Sequence, residues 1–178
     1  MPLCNNATCA SVHSSSVSTA LLAFGARVVI ASADGKTREV EMNTFFVHPE
    51  TNSKNETILK AGELITQVIL PPVKPGTKSW YIKQGARESH DWAMADVAVV
   101  AQMTGNTCSA AEIVLGAAAP IPIKSKEAAG AIIGKTISES TAKAAGNASM
   151  KGATPLSGNA YKIPVFKAIV KRAILNLV

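Results

Sequence analysis

The chain has 178 residues, of which 47% are hydrophobic and 17% charged. This length and apolar content suffice for one or two packed cores and exclude an intrinsically disordered chain. The formal net charge is +6, but the basic residues are scattered from Arg27 to Arg172 and aromatic residues make up only 4%. Nucleic-acid binding requires basic side chains gathered into a patch, so this composition argues against it.

Membrane insertion, export and metal binding are also disfavoured. No apolar run reaches the roughly 20 residues that a spanning helix needs. The first 16 residues lack a basic segment followed by an apolar one, so we expect a cytoplasmic protein, with transport to the periplasm on a partner subunit as the alternative. The spacing of Cys4, Cys9 and Cys108 is not that of a zinc site, which favours reduced thiols.

The first part of the chain predicts a helix, a hairpin and a further strand. Serines at 14–16 precede "VSTALLAF" and Gly25, a pattern typical of a capped helix over 16–24. The strand "ARVVIAS" is then followed by a turn at Asp34-Gly35 and the returning strand "TREVEM". After a polar connection, "GELITQVILPP" alternates as a strand that two prolines end.

A proline-rich segment, "PPVKPGTK", predicts a boundary between residues 1–74 and residues 75–178. Beyond it, "SWYIKQGAR", "MADVAVVAQM" and "CSAAEIVLGAAA" are predicted strands, the last two joined by a turn at Gly105-Asn106. Three helices follow: Ser125 and Ser138 cap the first two, and Pro164 opens the third. The fold class is therefore α+β, with a three-stranded antiparallel sheet covered by helices in the second half.

Six segments, in order, resemble the FAD-binding medium subunit of the molybdenum hydroxylases, the family of xanthine dehydrogenase, aldehyde oxidoreductase and carbon monoxide dehydrogenase. They are "CASVHSSSVSTALLAFGARVVIAS", "MNTFFVHP", "LKAGELITQVILPP", "YIKQGARESHDWAMADVAVVAQM", "AEIVLGAAAPIPIK" and "GATPLSGNAYKIPVFKAIVKRAIL". The resemblance implies that residues 1–74 are the second lobe of a FAD-binding domain and residues 75–178 the C-terminal domain of a flavoprotein.

The resemblance also implies two departures from the family. The family has an N-terminal lobe whose glycine-rich loops hold the FAD pyrophosphate, and this sequence contains no such loop. In "VHSSSVS", Ser14 and Ser16 stand where the family usually has a proline and an aspartate. We therefore expect the chain alone to bind FAD weakly or not at all, and we expect no catalytic acid, base or nucleophile in it.

The resemblance assigns six residues to the flavin. Lys83 is the best single contact, because a cation stabilises the negative charge of a reduced flavin. Asp91 and Trp92 begin a segment that resembles the one facing the isoalloxazine ring. Ile58 and Leu59 are candidate covering residues, and Ser15 matches a serine beside the cofactor. For Ile58, Leu59 and Ser15, ordinary packing or helix capping is the alternative interpretation, and we expect Arg87 to pair with Glu88 or Asp91.

Two hypotheses about function remain open. The first is a flavin subunit that relays electrons from iron–sulfur clusters on a small subunit to an acceptor, while a large subunit carries the molybdenum cofactor. The second is a truncated, flavin-free docking module that retains the fold. The absence of a pyrophosphate loop favours the second, and the presence of Lys83 and Asp91 favours the first.

Overall fold

The serine-rich segment does begin a helix. In the computed structural model, which describes residues 9–88 and 90–178, helix α1 spans Ser16–Ala23 and Gly25 follows it in the left-handed region at φ 67°. Glycine is favoured there because it has no Cβ. The predictions that rest on Cys4 and on the first residues of the chain lie outside the described residues.

The first lobe is a three-stranded antiparallel sheet with two short helices. Its remaining elements are β1 (Arg27–Ala31), β2 (Thr37–Glu41), α2 (Met42–Phe45) and β3 (Leu64–Ile69). The strand order is β2-β1-β3, so β1 is central and the other two are edges. The sequence predicts all three strands but treats the segment of α2 as a polar connection.

The second lobe is built on a four-stranded antiparallel sheet, in the order β4-β5-β6-β7. Its strands are β4 (Thr77–Gln84), β5 (Ala95–Thr104), β6 (Thr107–Gly116) and β7 (Ile123–Lys124). The turn at Gly105-Asn106 joins β5 to β6 as predicted. The sheet has four strands rather than the predicted three. The additional strand, β7, is two residues long and pairs Lys124 with Val114 and Ile123 with Leu115.

Three helices cover one face of this sheet: α3 (Lys126–Ile132), α4 (Glu139–Ser149) and α5 (Lys162–Leu175). Ser125 and Ser138 cap the first two, as the sequence predicts. Helix α5 begins two residues before Pro164, which lies in its first turn. Proline is tolerated there because the amide it lacks has no partner within the helix.

Strand β5 is buried on both faces. Val97 and Val99 pack with the helices, whereas Ala98 packs with α1 and β1 of the first lobe. Val114 on β6 joins the same first-lobe cluster. The second sheet is thus a wall shared by two hydrophobic cores, which explains the continuous apolar run of "VAVVA".

Candidate functional site

The N-terminus of α1 is organised by Ser15. Its Oγ accepts a hydrogen bond from the Ser18 amide at 3.2 Å, which caps the helix and leaves the hydroxyl proton available to a ligand. Two residues earlier, the ring of His13 makes an edge contact with Phe46, with 4.8 Å between centroids. The buried Nε2 of His13 has no hydrogen-bond partner, and burial lowers the pKa of this side chain.

A buried carboxyl group links this helix to the second sheet. Tyr81 donates its hydroxyl to Asp96 Oδ2 at 2.9 Å, and Thr19 Oγ1 donates to Oδ1 at 3.4 Å. The Ser16 hydroxyl and the Gly116 amide also hydrogen-bond Asp96. Burial raises the pKa of Asp96 in spite of these hydrogen bonds, and burial likewise raises the pKa of Tyr81.

Gly116 makes this arrangement possible. A Cβ built at Gly116 would lie 1.7 Å from Asp96 Oδ1 and 2.2 Å from Thr19 Oγ1. Such distances are far inside van der Waals contact. Only glycine therefore allows α1, β5 and β6 to meet at this carboxyl group.

Lys83 lies directly opposite Asp96 in the register of β4 and β5. Opposite residues of an antiparallel pair lie on the same face of the sheet, so Lys83 shares the face of Asp96 and Tyr81 that is turned toward α1. Its side chain is exposed, and together with residues 84–88 it lines an open pocket of about 360 Å³. No ion pair of Lys83 is found among the described residues.

The loop at 85–94 joins β4 to β5 beside Lys83. The Met94 amide donates to the Gln84 carbonyl at 2.9 Å and closes the loop at its base. Arg87 Nε lies 2.7 Å from Asp91 Oδ2, which confirms the predicted ion pair. Trp92 is 81% exposed, so the loop presents a large aromatic surface to its surroundings.

Ile58 and Leu59 lie in the first lobe. Both are half-buried and pack against the core of that lobe. The Ile58 amide donates to the Phe45 carbonyl at 3.0 Å, and the adjacent Phe46 contacts His13, which leads into α1. Their packing matches the structural alternative and places them on the side of the lobe where α1 begins.

The structure groups the six predicted site residues into three parts. Ser15 and Lys83 form the first part. Ser15 lies at the start of α1, and a hydrogen bond from α1 to Asp96 holds this helix on the pair of strands that carries Lys83. Asp91 and Trp92 lie on the loop that leaves this strand, and Ile58 and Leu59 line the first lobe. Asp91 is engaged with Arg87, so its carboxylate positions the loop.

Sequence reasoning missed the Asp96 cluster. The available signal was a lone carboxylate within the otherwise uncharged strand "MADVAVVAQM", since a buried acid requires hydrogen-bond donors from neighbouring elements. Those donors come from positions 16, 19, 81 and 116, which no local pattern connects.

A second buried charge supports the turn after β6. Lys162 donates its Nζ to the Ala117 carbonyl at 2.6 Å and lies 5.9 Å from the centroid of the Phe166 ring. Ala117 has a φ of 56°, the left-handed region that an alanine seldom adopts. Burial lowers the pKa of Lys162, whereas the charge of Asp96 acts in the opposite direction.

Comparison with known proteins relates both lobes to one class of flavoprotein. Residues 80–177 match the CO dehydrogenase flavoprotein C-terminal domain, and residues 6–73 match the FAD binding domain in molybdopterin dehydrogenase. The chain belongs to this flavoprotein family. The resemblance inferred from the six sequence segments and the α+β fold class are thereby confirmed.

Relatives of this flavoprotein chain include medium chains of several enzymes. It is 29% identical to the carbon monoxide dehydrogenase medium chain of Hydrogenophaga pseudoflava over 157 residues, 86% of this chain and 52% of that protein. It is 32% identical to the glyceraldehyde dehydrogenase medium chain of Sulfolobus acidocaldarius over 123 residues, 69% of this chain and 41% of that protein.

Solved structures show the same fold. Quinoline 2-oxidoreductase from Pseudomonas putida 86 matches with a TM-score of 0.79 and 28% identity, over 94% of this chain and 57% of that chain. Carbon monoxide dehydrogenase from Hydrogenophaga pseudoflava matches with a TM-score of 0.76 and 28% identity, over 90% of this chain and 54% of that chain. The flavoprotein chain spans about half the length of these relatives.

The described residues suit one end of FAD better than the other. An exposed cation at Lys83, an exposed indole at Trp92 and the hydroxyl of Ser15 are suited to a flat, polar-edged ring. A pyrophosphate needs several converging amides at a glycine-rich helix start, and no helix among residues 9–88 and 90–178 begins in this way.

Proposed function

We propose that this flavoprotein chain supplies the ring-binding side of a FAD site in a molybdenum hydroxylase. The observation that carries the proposal is the position of Lys83, an exposed cation on the same sheet face as the cluster that holds α1, next to the loop bearing Trp92. FAD would accept electrons from iron–sulfur clusters on a small subunit and pass them to an acceptor. The molybdenum cofactor would be held by a large subunit.

Each candidate residue has a role that follows from its surroundings. Lys83 stabilises the negative charge that the ring acquires when it is reduced, and Trp92 supplies an aromatic surface for packing. Ser15 donates its hydroxyl proton while its oxygen caps α1. Ile58 and Leu59 exclude water from the first-lobe side, and Asp91 holds the loop through Arg87.

The chain alone should bind FAD weakly or not at all, with a Kd above the micromolar range. Association costs about 4–15 kcal/mol in lost freedom, and ring contacts without pyrophosphate donors do not offset this cost. Isothermal titration calorimetry with FAD tests this expectation. A sub-micromolar Kd would contradict this expectation and show that the chain alone binds the cofactor tightly.

A reduction potential tests the role of Lys83. The chain is fused behind the part of the Hydrogenophaga pseudoflava medium chain that it does not match, and the fusion is loaded with FAD. Lys83→Met should lower the flavin potential by several tens of millivolts, because a charge at about 5 Å in an effective dielectric near 20 is worth roughly 3 kcal/mol before desolvation is subtracted.

Lys78→Met is the matched control for this substitution, since it removes the same charge from an exposed position of β4 outside the pocket that Lys83 lines. Its potential should equal that of the unsubstituted fusion. An unchanged potential in the Lys83→Met protein, with flavin still bound, would remove Lys83 from the site.

A flavin-free docking module is the second candidate function. The observation that favours it is the lack of a glycine-rich helix start among the described residues. An absorbance spectrum of the chain purified with its partner subunits distinguishes the two, because a flavoprotein is yellow and a flavin-free module is colourless.

Cell fractionation in the source organism tests the expected cytoplasmic location.

A further inference from the structure

The hydrophobic core of the first lobe is open beneath β3. On the central strand, Val28 and Ile30 are each 1% exposed. Their register partners on β3, Val68 and Ile65, are 47% and 41% exposed. Because opposite residues lie on the same face, the apolar layer that covers β1 stops before it reaches β3.

This open rim, formed by Ile65, Val68 and Leu70, lies on an unprotected sheet edge. Among residues 9–88 and 90–178, strand β3 pairs with β1 alone, so within this part of the chain its outer edge presents unpaired backbone amides and carbonyls. The segment "LITQVIL" from Leu64 to Leu70 contains no charged residue. Leu70 leads into Pro71 and Val73, which line an apolar pocket of about 390 Å³ between the lobes.

The opposite edge of the same sheet has a different character. Strand β2 reads "TREVE", and its charges form ion pairs between Arg27 and Glu39 and between Arg38 and Glu63. Charged side chains on an edge strand oppose pairing with another strand. The sheet therefore protects one edge against association and leaves the other apolar and open.

We propose that the open rim binds the half of the flavoprotein that the relatives carry and this chain does not match, through a strand that pairs with β3 and apolar side chains that pack beneath it. The matched solved chains are about twice as long as the part that this chain covers, 54% and 57% of their lengths. An uncharged strand edge with an adjacent apolar layer suits an extended apolar segment of that half. The interface requires no bound flavin.

Hydrogen exchange, measured without FAD, tests the proposal on the fusion described above and on the 178-residue chain. Peptides covering 64–70 should exchange at least about tenfold more slowly in the fusion, because the β3 amides gain partners. Peptides covering β2 should exchange at the same rate in both proteins. Equal exchange of 64–70 in the two proteins would overturn the proposal.

Two neighbouring substitutions make the test specific. Val68→Lys places a charge in the rim and should abolish the added protection, whereas Gln67→Lys, on the other face of the same strand, should retain it. Added protection that survives Val68→Lys would place the contact elsewhere. A homodimer of the chain that Val68→Lys dissociates, measured by sedimentation, would assign the rim to a second copy and overturn the proposal.

Because these readouts need no cofactor, they are separable from the proposed function. Slower exchange without any flavin binding would support the interface and count against the FAD site. Flavin binding without slower exchange would support the FAD site and count against the interface.

Discussion

Asp96 shows how one buried acid determines the position of a helix. Its carboxyl group is held by side chains from α1 and β4, and burial raises its pKa. The titratable groups around it are Lys162 from α5, His13 from the segment before α1, and Lys83, which lies opposite it on β4. The attachment of α1 to the second sheet should therefore depend on pH.

The direction of this dependence follows from linkage. A carboxyl group with a raised pKa in the folded state stabilises the fold fully below its unfolded pKa of about 3.9, and this stability is lost as the pH rises through the folded pKa. Asp96→Asn cannot titrate, so its free energy of unfolding relative to the unsubstituted protein should increase as the pH rises from about 4 to about 8.

Thermal unfolding across this pH range measures the difference between the two proteins. His13, whose pKa is lowered by burial, contributes a trend in the opposite direction in both proteins. The charge of Asp96 raises the pKa of His13, so Asp96→Asn lowers that pKa further, and this change adds to the expected increase. A difference that stays constant with pH would show that Asp96 does not change its protonation in this range.

Two glycines of the second lobe should respond oppositely to alanine. Gly116→Ala forces a methyl group onto Asp96 and Thr19 and should destabilise the fold by more than about 2 kcal/mol. Gly130→Ala, in an open position on α3, should stabilise it by about 0.5–1 kcal/mol. Denaturant unfolding measures both, and similar values for the two would refute the close approach at Gly116.

Sequence reasoning reached the exposed residues of the candidate site but not the buried ones. Lys83 and Trp92 belong to one continuous segment with a recognisable pattern. Asp96 and Thr19 are 77 positions apart, and Lys162 and Ala117 are 45 apart. Contacts of this kind depend on how α1 and α5 pack on the second sheet, which a local pattern does not encode.

At the scale of elements, α1 combines a capping residue with a candidate ligand residue. Ser15→Ala should lower the stability by about 1 kcal/mol, because the Ser18 amide loses its acceptor. Ser15→Asp should restore the stability, since a carboxylate also caps a helix, but it should weaken FAD binding in the fusion because it has no proton to donate. Unchanged FAD affinity in Ser15→Asp would leave Ser15 with capping alone.

Elements with caps, turns and regular periodicity were predictable, and short ones were not. The turns at Gly35 and Gly105 both have positive φ and join the expected strands. Strand β7 has two residues, which lie between Pro122 and the helix cap Ser125, so it carries no alternation to detect. Helix α2 has four residues and forms because Met42 and Phe45 enter the first-lobe core.

At the scale of the whole molecule, the domain boundary at 74/75 stays a prediction. Because the second sheet contributes to both hydrophobic cores, separating the two parts should expose one face of that sheet. A segment comprising 77–178 should unfold cooperatively, since its helices and sheet enclose a core of their own. It should melt at a lower temperature than the full chain, because Ala98, Val100 and Val114 lose the first lobe that covers them. Calorimetry of both proteins measures this, and a featureless melt of the segment would contradict the boundary.

The hairpin of β5 and β6 also implies an order of folding events. A two-residue turn brings together strands on whose opposite faces α1 and α5 later dock, so the hairpin can form before either lobe is complete. Gly105 and Gly25 both have positive φ and open surroundings, so alanine should cost each about 1 kcal/mol. Stopped-flow kinetics should show slower refolding for Gly105→Ala and faster unfolding for Gly25→Ala. If the two variants change the refolding and unfolding rates to the same extent, the first lobe and the hairpin form together. If Gly105→Ala slows refolding and Gly25→Ala does not, the strand pair that separates the two hydrophobic cores is also the nucleus on which both cores form.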